Sequence, residues 1–215
     1  MNFNNNKRFV HYDERTCKSD LNERLNKTLQ YIKNNMRYKN IKCQKDAISQ
    51  VIYSKLINEL KPKTILEFGT LEGGSTLLFD DICSNLNLST KIYTFDINIK
   101  RIKIKKSNNI KINKYEAGFP EKYLKDIVPK LEHPILVIED AHRGIPELFI
   151  YLDTYLKKND YIIIEDTIHG INIKGDKNLY EPYFNFMKEN KDFSNKYYID
   201  TEYSDCLGYN HNYFP

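Results

Sequence analysis

Acidic side chains recur in this chain at places where a parallel sheet would bring them together. Glu67 lies at the end of the apolar run "TILEF" and Asp96 closes "KIYTFD". Glu139 and Asp140 close "LVIED", and Glu165 and Asp166 close "YIIIED". After Glu67 come Gly69, Gly73, Gly74 and Ser75, in the spacing E-x-G-x-x-x-G-G-S. Glycines at such a junction let the backbone approach a ligand closely. The spacing is neither GxGxxG nor GxxxxGK[ST], so it matches neither the dinucleotide fingerprint nor a P-loop. An acid ahead of the loop would repel a pyrophosphate and suit a ligand that carries positive charge. Asp96 falls where a nucleoside ligand needs an acceptor for its two ribose hydroxyls. The simpler alternative is that Glu67 and Asp96 cap turns.

The paired acids suggest a second kind of chemistry. Neighbouring carboxylates raise each other's pKa and cost free energy when desolvated together. A hard divalent cation such as Mg²⁺ can offset that cost with a few carboxylates, keeping substrate oxygens in its other positions. Glu165 and Asp166 would be two ligands and Asp140 a third. A hydroxyl bound to such an ion loses its proton near neutral pH. His142, two residues after Asp140, has the pKa of a general base. The alternative is that these acids cap the following helices and that His142 is a loop residue. His169 after the second pair reads as a plain loop histidine.

The elements that must hold these residues alternate. Residues 1–40 read as an N-terminal arm and a helix, and 41–215 as one domain with no repeat and no internal break. Residues 1–19 are polar. From Asp20 to Tyr38, Leu21, Leu25, Leu29 and Ile32 recur at helical steps. Lys45 to Leu60 is a second helix, ended by Pro62. Strands and helices then follow in turn: "TILEF", "GGSTLLFDDICSNL", "KIYTFD", "NIKINKYEAG", Pro120 to Val128, "PILVIED", "IPELFIYLDTYLKK" and "DYIIIED". The short β-branched strands predict burial on both faces, and the alternation predicts a doubly wound parallel sheet. A helix from Asn178 to Asn190 and a late strand in "YYIDTEY" complete the pattern.

Composition narrows the class. The 215 residues are 40% hydrophobic and 29% charged, with a formal net charge of +4, as in a globular domain with a sizeable core. The one basic cluster, "KRIKIKK" from Lys100 to Lys106, reads as a solvated element rather than a nucleic-acid surface. Cys17, Cys43, Cys83 and Cys206 form no CxxC pair and no zinc spacing, so free thiols in a reducing compartment are expected. The polar start is not a signal peptide, and no apolar run reaches the ~18–20 residues that span a bilayer. The expectation is a cytoplasmic protein without nucleic-acid or membrane partners, with a homo-oligomer through the N-terminal helices as one possibility. The 17 tyrosines serve core packing or stacking on sugars and nucleosides.

S-adenosylmethionine meets the demands of the glycine loop: an adenosine with an ammonium and a sulfonium. At this point the chain resembles the class I S-adenosylmethionine-dependent methyltransferases. More narrowly, it is similar to the cephalosporin hydroxylase-like and rhamnosyl O-methyltransferase-like group. The likeness is carried by "KCQKDAISQVIYSKLINELKPKTILEFGTLEGGS", "VIEDAHRG", "DYIIIEDTIHG" and "YYIDTEYSDCLGYNHNYF". It implies a Rossmann-like, doubly wound, mostly parallel seven-stranded sheet with N-terminal helices. It implies methyl transfer to a hydroxyl of a sugar, glycan or small natural product, with Mg²⁺ or another divalent cation. Carried over by position, Glu67, Gly69, Gly74 and Ser75 contact the methionine part of the cofactor and Asp96 its ribose. Asp140, Glu165 and Asp166 bind metal, and His142 is the base. Relatives often space the acid and histidine as D-x-x-H. Here Asp140 gives D-x-H and Glu139 gives E-x-x-H, so Glu139 is the alternative ligand. Tyr209 and Asn210 are candidates for acceptor contact. The competing functions are an NAD-dependent oxidoreductase on a Rossmann-like fold and a non-catalytic nucleoside-binding subunit.

Overall fold

The computed structural model describes residues 8–11, 35–165, 181–200, 202 and 211–214. Asp166, His169, Tyr209, Asn210, Cys17, Cys206 and residues 20–34 of the first expected helix lie outside them.

Five apolar strands form the centre: β4 (Thr64–Phe68), β5 (Lys91–Asp96), β6 (Ile110–Lys114), β7 (Ile135–Glu139) and β8 (Tyr161–Ile164). All five run parallel, in the order β8-β7-β4-β5-β6. Beyond β8 come β10 (His211–Phe214), β9 (Tyr198–Asp200) and β1 (Phe9–His11), each antiparallel to its neighbour. The sheet therefore has eight strands where seven were expected. The eighth, β1, comes from the arm read as merely polar. A second difference lies at residues 37–42, where β2 (Arg37–Tyr38) and β3 (Ile41–Lys42) make a two-stranded hairpin. The helix expected to reach Tyr38 does not: Lys39 and Asn40 take positive φ and turn the chain back.

Side chains alternate along the strands into two cores, as a sheet covered on both faces requires. Ile65, Ile92, Leu136, Ile138 and Ile163 pack under α1 (Ala47–Leu60) and α2 (Gly74–Asn85). Leu66, Phe68, Phe95, Val137 and Ile162 pack under α4 (Ile145–Asp153) and α5 (Glu181–Glu189). In α1 the buried stripe is Tyr53, Leu56, Ile57 and Leu60. Asp46 caps its start by accepting from the Ser49 amide at 2.8 Å, and Lys61 ends it in the left-handed region ahead of Pro62. The helix expected over Pro120–Val128 is shorter. It forms α3 (Pro120–Leu124), followed by a single 3₁₀ turn at Val128–Lys130, where Pro129 supplies no amide hydrogen. A last short helix, α6 (Lys191–Ser194), leads into β9. Among the described residues no helix is long and apolar enough to cross a membrane.

Strand order reverses at β4: the chain goes to β5 on one side and returns to β7 on the other. A crevice opens at such a switch point, beyond the carboxyl ends of the strands. The far edge is pinned by charge. Arg8 donates to both oxygens of Asp200 at 2.8 Å and to both of Glu59 at 2.8 and 3.1 Å, and Tyr161 Oη donates to Asp200 at 2.8 Å. Removing one partner of a buried pair leaves the other charge uncompensated, at about 3 kcal/mol or more. Arg8→Met is therefore expected to lower the unfolding free energy by ~3 kcal/mol in urea titration. A loss below about 0.5 kcal/mol, the size of a neutral surface change, would mean β1 is not docked as described.

Candidate active site

A cavity of about 360 Å³ occupies the crevice, within the usual range for small-molecule sites. Its floor is the loop after β4, with Gly69, Thr70, Leu71 and Ser75. Asp96, Ile97 and Arg101 form one wall, and Asp140, Ala141, His142 and Arg143 face them. Lys42, Gln44 and Lys45 ahead of α1, and Tyr115 and Ala117 after β6, complete the lining.

Two glycines make this geometry possible. Gly69 has φ +101, and a Cβ there would stand 2.6 Å from the carbonyl carbon and oxygen of Asp140. The two loops that bear the site can touch only because Gly69 has no side chain. At Gly74 a Cβ would lie 2.4 Å from the Lys42 carbonyl oxygen, so the β3 segment is pressed against the start of α2.

Glu67 and Ser75 were expected to meet the cofactor. Ser75 lines the cavity, but Glu67 lies beneath the loop, buried. Its carboxylate accepts from Ser75 Oγ, from Thr76 Oγ1 at 2.5 Å and from Thr94 Oγ1 at 2.7 Å. The β4–β5 register places Thr94 directly opposite Glu67. Burial pushes the Glu67 carboxyl up, against the pull of the three hydroxyl donors. Glu67 thus ties β4, β5 and the first turn of α2 into one unit.

Asp96 does line the cavity, with its carboxylate already engaged. It accepts from the amides of Leu71 (2.9 Å) and Asn98 (2.8 Å) and from Arg101 Nη2 (2.9 Å). Arg101 belongs to the basic cluster read as solvated. Lys103, Lys105 and Lys106 are exposed there, but Ile104 is buried and sits where a Cβ of Gly73 would meet it at 2.7 Å. The alternation R-I-K-I-K from Arg101 to Lys105 was the available signal for one inward face.

Glu139 and Asp140 separate in function. Glu139 is buried, and its Oε1 accepts from the amides of Ala141 and His142 at 3.0 and 2.9 Å. Burial raises its pKa to about 7. Asp140 instead faces the cavity. Its Oδ1 lies 3.1 Å from His142 Nε2 and its Oδ2 lies 2.6 Å from Lys45 Nζ. His142 is held at φ +60, a conformation rare outside glycine and characteristic of functional loops.

Lys45 is the residue the sequence reading missed. Its ammonium also lies 2.6 Å from Glu165 Oε1, which in turn accepts from Tyr53 Oη. Burial disfavours the lysine's charge, but Asp140 and Glu165 outweigh it and hold the ammonium protonated. A continuous polar chain runs Tyr53–Glu165–Lys45–Asp140–His142. The clue available beforehand was a charge deficit: buried acids at four strand ends need a counter-cation.

The family model described as Rhamnosyl O-methyltransferase/CmcI matches residues 30–212. The chain belongs to that family. It is a class I S-adenosylmethionine-dependent O-methyltransferase. A rhamnosyl O-methyltransferase of Mycobacterium bovis (strain BCG / Pasteur 1173P2) is 25% identical over 183 residues, 80% of this chain and 73% of that protein. A solved complex of CmcI with Mg and SAM superposes with TM-score 0.69 at 24% identity, covering 83% of this chain and 77% of that one. The O-methyltransferase TomG from Streptomyces achromogenes, solved with SAM, gives 0.52 at 14% identity, covering 90% of each chain. The two structural likenesses speak to the fold. The oxidoreductase and non-catalytic readings do not match the family.

The hydroxyl cage of Glu67 has a measurable weight. A hydrogen bond to a charged group contributes about 1.5–3 kcal/mol, and Thr94→Val removes one donor at nearly constant shape. Thr94→Val is expected to cost ~2 kcal/mol in denaturant unfolding. An unchanged midpoint would show that the cage does not bind β5 to the loop.

Proposed function

We propose that this methyltransferase acts on a hydroxyl of a sugar, glycan or small natural product, with His142 as general base. The observation that carries the reading is the placement of Asp96 and of the Asp140–His142 pair in the lining of one cavity, at the ends of β5 and β7 on either side of β4. The name of the mycobacterial relatives supports a saccharide acceptor.

In this reading the loop from Gly69 to Ser75 receives the methionine part of the cofactor. Gly69 and Gly74 keep the backbone clear of side chains, and Ser75 sits at the start of α2, where backbone amides attract a carboxylate. Asp96 accepts the ribose hydroxyls in exchange for Arg101, its exposed side-chain partner. Glu67 acts from below, through Ser75. Asp140 accepts from Nε2–H of His142 and thereby leaves Nδ1 as the ring's basic nitrogen. The acceptor oxygen attacks the sulfonium methyl in line, and its proton passes to Nδ1. The carbon–sulfur bond breaks, and sulfur keeps the electron pair as S-adenosylhomocysteine. Proximity and alignment supply most of the acceleration.

The magnesium expectation is weighed on the donors present. Asp140 and Glu165 are hard oxygen ligands of the right kind. In this chain, however, Lys45 Nζ lies 2.6 Å from both. Among the described residues, which do not include the third expected ligand Asp166, no three acidic, histidine or cysteine side chains converge as a metal site. An ammonium and a divalent ion cannot share one position. The arrangement therefore does not fit the ion while Lys45 stands there, and no step above is routed through it.

S-adenosylhomocysteine at ~100 times its dissociation constant should stabilise the fold by about 2.7 kcal/mol, visible as a raised thermal midpoint, whereas NAD should leave it unmoved. His142→Ala should then lower kcat by about 10²–10⁴-fold without weakening S-adenosylhomocysteine binding in calorimetry. Equal loss of kcat and of cofactor affinity would remove His142 from the base role.

A further inference from the structure

We propose that the Lys45 ammonium is the resident cation of the Asp140–Glu165 pair, and that a divalent ion gains this position only by displacing it. The proposal rests on the transferase reading for the place of the active site, but not for the charge balance that carries it.

Three observations converge. First, the distances: Nζ lies 2.6 Å from Asp140 Oδ2 and 2.6 Å from Glu165 Oε1. Two of the three ammonium donors are committed, each in a charge-assisted bond. Second, burial: the Lys45 side chain is 2% exposed and that of Glu165 is 3% exposed, so water cannot neutralise either. A buried carboxylate must be paired or bound to an ion, and here the pairing is internal. Third, the ammonium is placed in advance. Asp46, the next residue, is fixed as the cap of α1 through the Ser49 amide, and Gln50 Nε2 donates to the Lys45 carbonyl at 3.1 Å. The same helix supplies Tyr53 to the other side of Glu165. The start of α1 thus delivers a cation and a phenol to the end of β8.

An ion as small as Mg²⁺ binds oxygens at about 2.0–2.1 Å. Between Asp140 and Glu165 it would meet the ammonium in contact, like charge against like. The lysine must leave first, and leaving strands a charge in a dry site. Lys45 also holds the Asp140 carboxylate whose other oxygen meets His142, so it acts on the imidazole as a positioning residue.

The test uses the full chain, titrated with Mn²⁺ by electron paramagnetic resonance and with S-adenosylhomocysteine by calorimetry, as wild type and as Lys45→Met. Wild type is expected to show no stoichiometric Mn²⁺ site. Lys45→Met is expected to bind one Mn²⁺ at least about tenfold more tightly, because the ammonium no longer stands between the two carboxylates. Its thermal midpoint should fall and be restored by Mg²⁺, which should not move wild type. Lys45→Met binding Mn²⁺ no better than wild type overturns the proposal, as does a stoichiometric Mn²⁺ site in wild type. The wild-type titration decides alone if the variant does not fold. Failure to bind S-adenosylhomocysteine would instead sink the cofactor reading and leave the cation result standing.

Discussion

Buried negative charge is the constraint around which this active site is organised. Glu67, Asp96, Glu139 and Glu165 all stand at carboxyl ends of parallel strands or in the residue beyond, and all are at most 4% exposed. A carboxylate so placed must be given donors or lose its charge. The fold gives each a different answer. Glu67 takes three hydroxyls, Asp96 two amides and a guanidinium, Glu139 two amides of its own loop, and Glu165 a phenol and an ammonium. These donors come from α1, α2, the strands and the loops between them, so satisfying the charges also fixes the elements around the crevice.

Asp140 lines the cavity beside Asp96 and links two functional side chains. One oxygen holds His142 and the other holds Lys45. Its place depends on Gly69, whose missing side chain lets the loops after β4 and β7 meet. In the proposed mechanism that contact sets the distance between the loop after β4 and His142. A shift of an ångström there would separate nucleophile and methyl group, the kind of misplacement that costs rate steeply.

The segment ahead of α1 is more than a lead-in to the domain. Lys42 presses on Gly74, Tyr38 Oη donates to Asp81 at 2.7 Å on α2, and Lys45 reaches the acids. Lys42, Gln44 and Lys45 of this segment line the cavity. This segment is the part in which a shared methyltransferase sheet can be given a different charge balance without altering any strand.

Much of this was legible in the chain itself. Short β-branched runs alternating with helical patterns determined the parallel sheet, because a strand covered on both faces has no polar side to show. The glycine spacing and the acids at strand ends marked where a ligand would sit, since those positions depend on local backbone and strand length alone. What the linear order could not give was who meets whom. The placing of Glu67 below the loop follows from the β4–β5 register opposite Thr94. The turning of Glu139 inward and Asp140 outward follows from how the loop bends beyond β7. Lys45 stands 95 residues before Asp140 and 120 before Glu165, and no local pattern marks it as their counter-charge. Side-chain type and spacing are local properties and determined the fold class and the cofactor. The pairing of buried charges is a long-range property, and only the packed tertiary structure decided it.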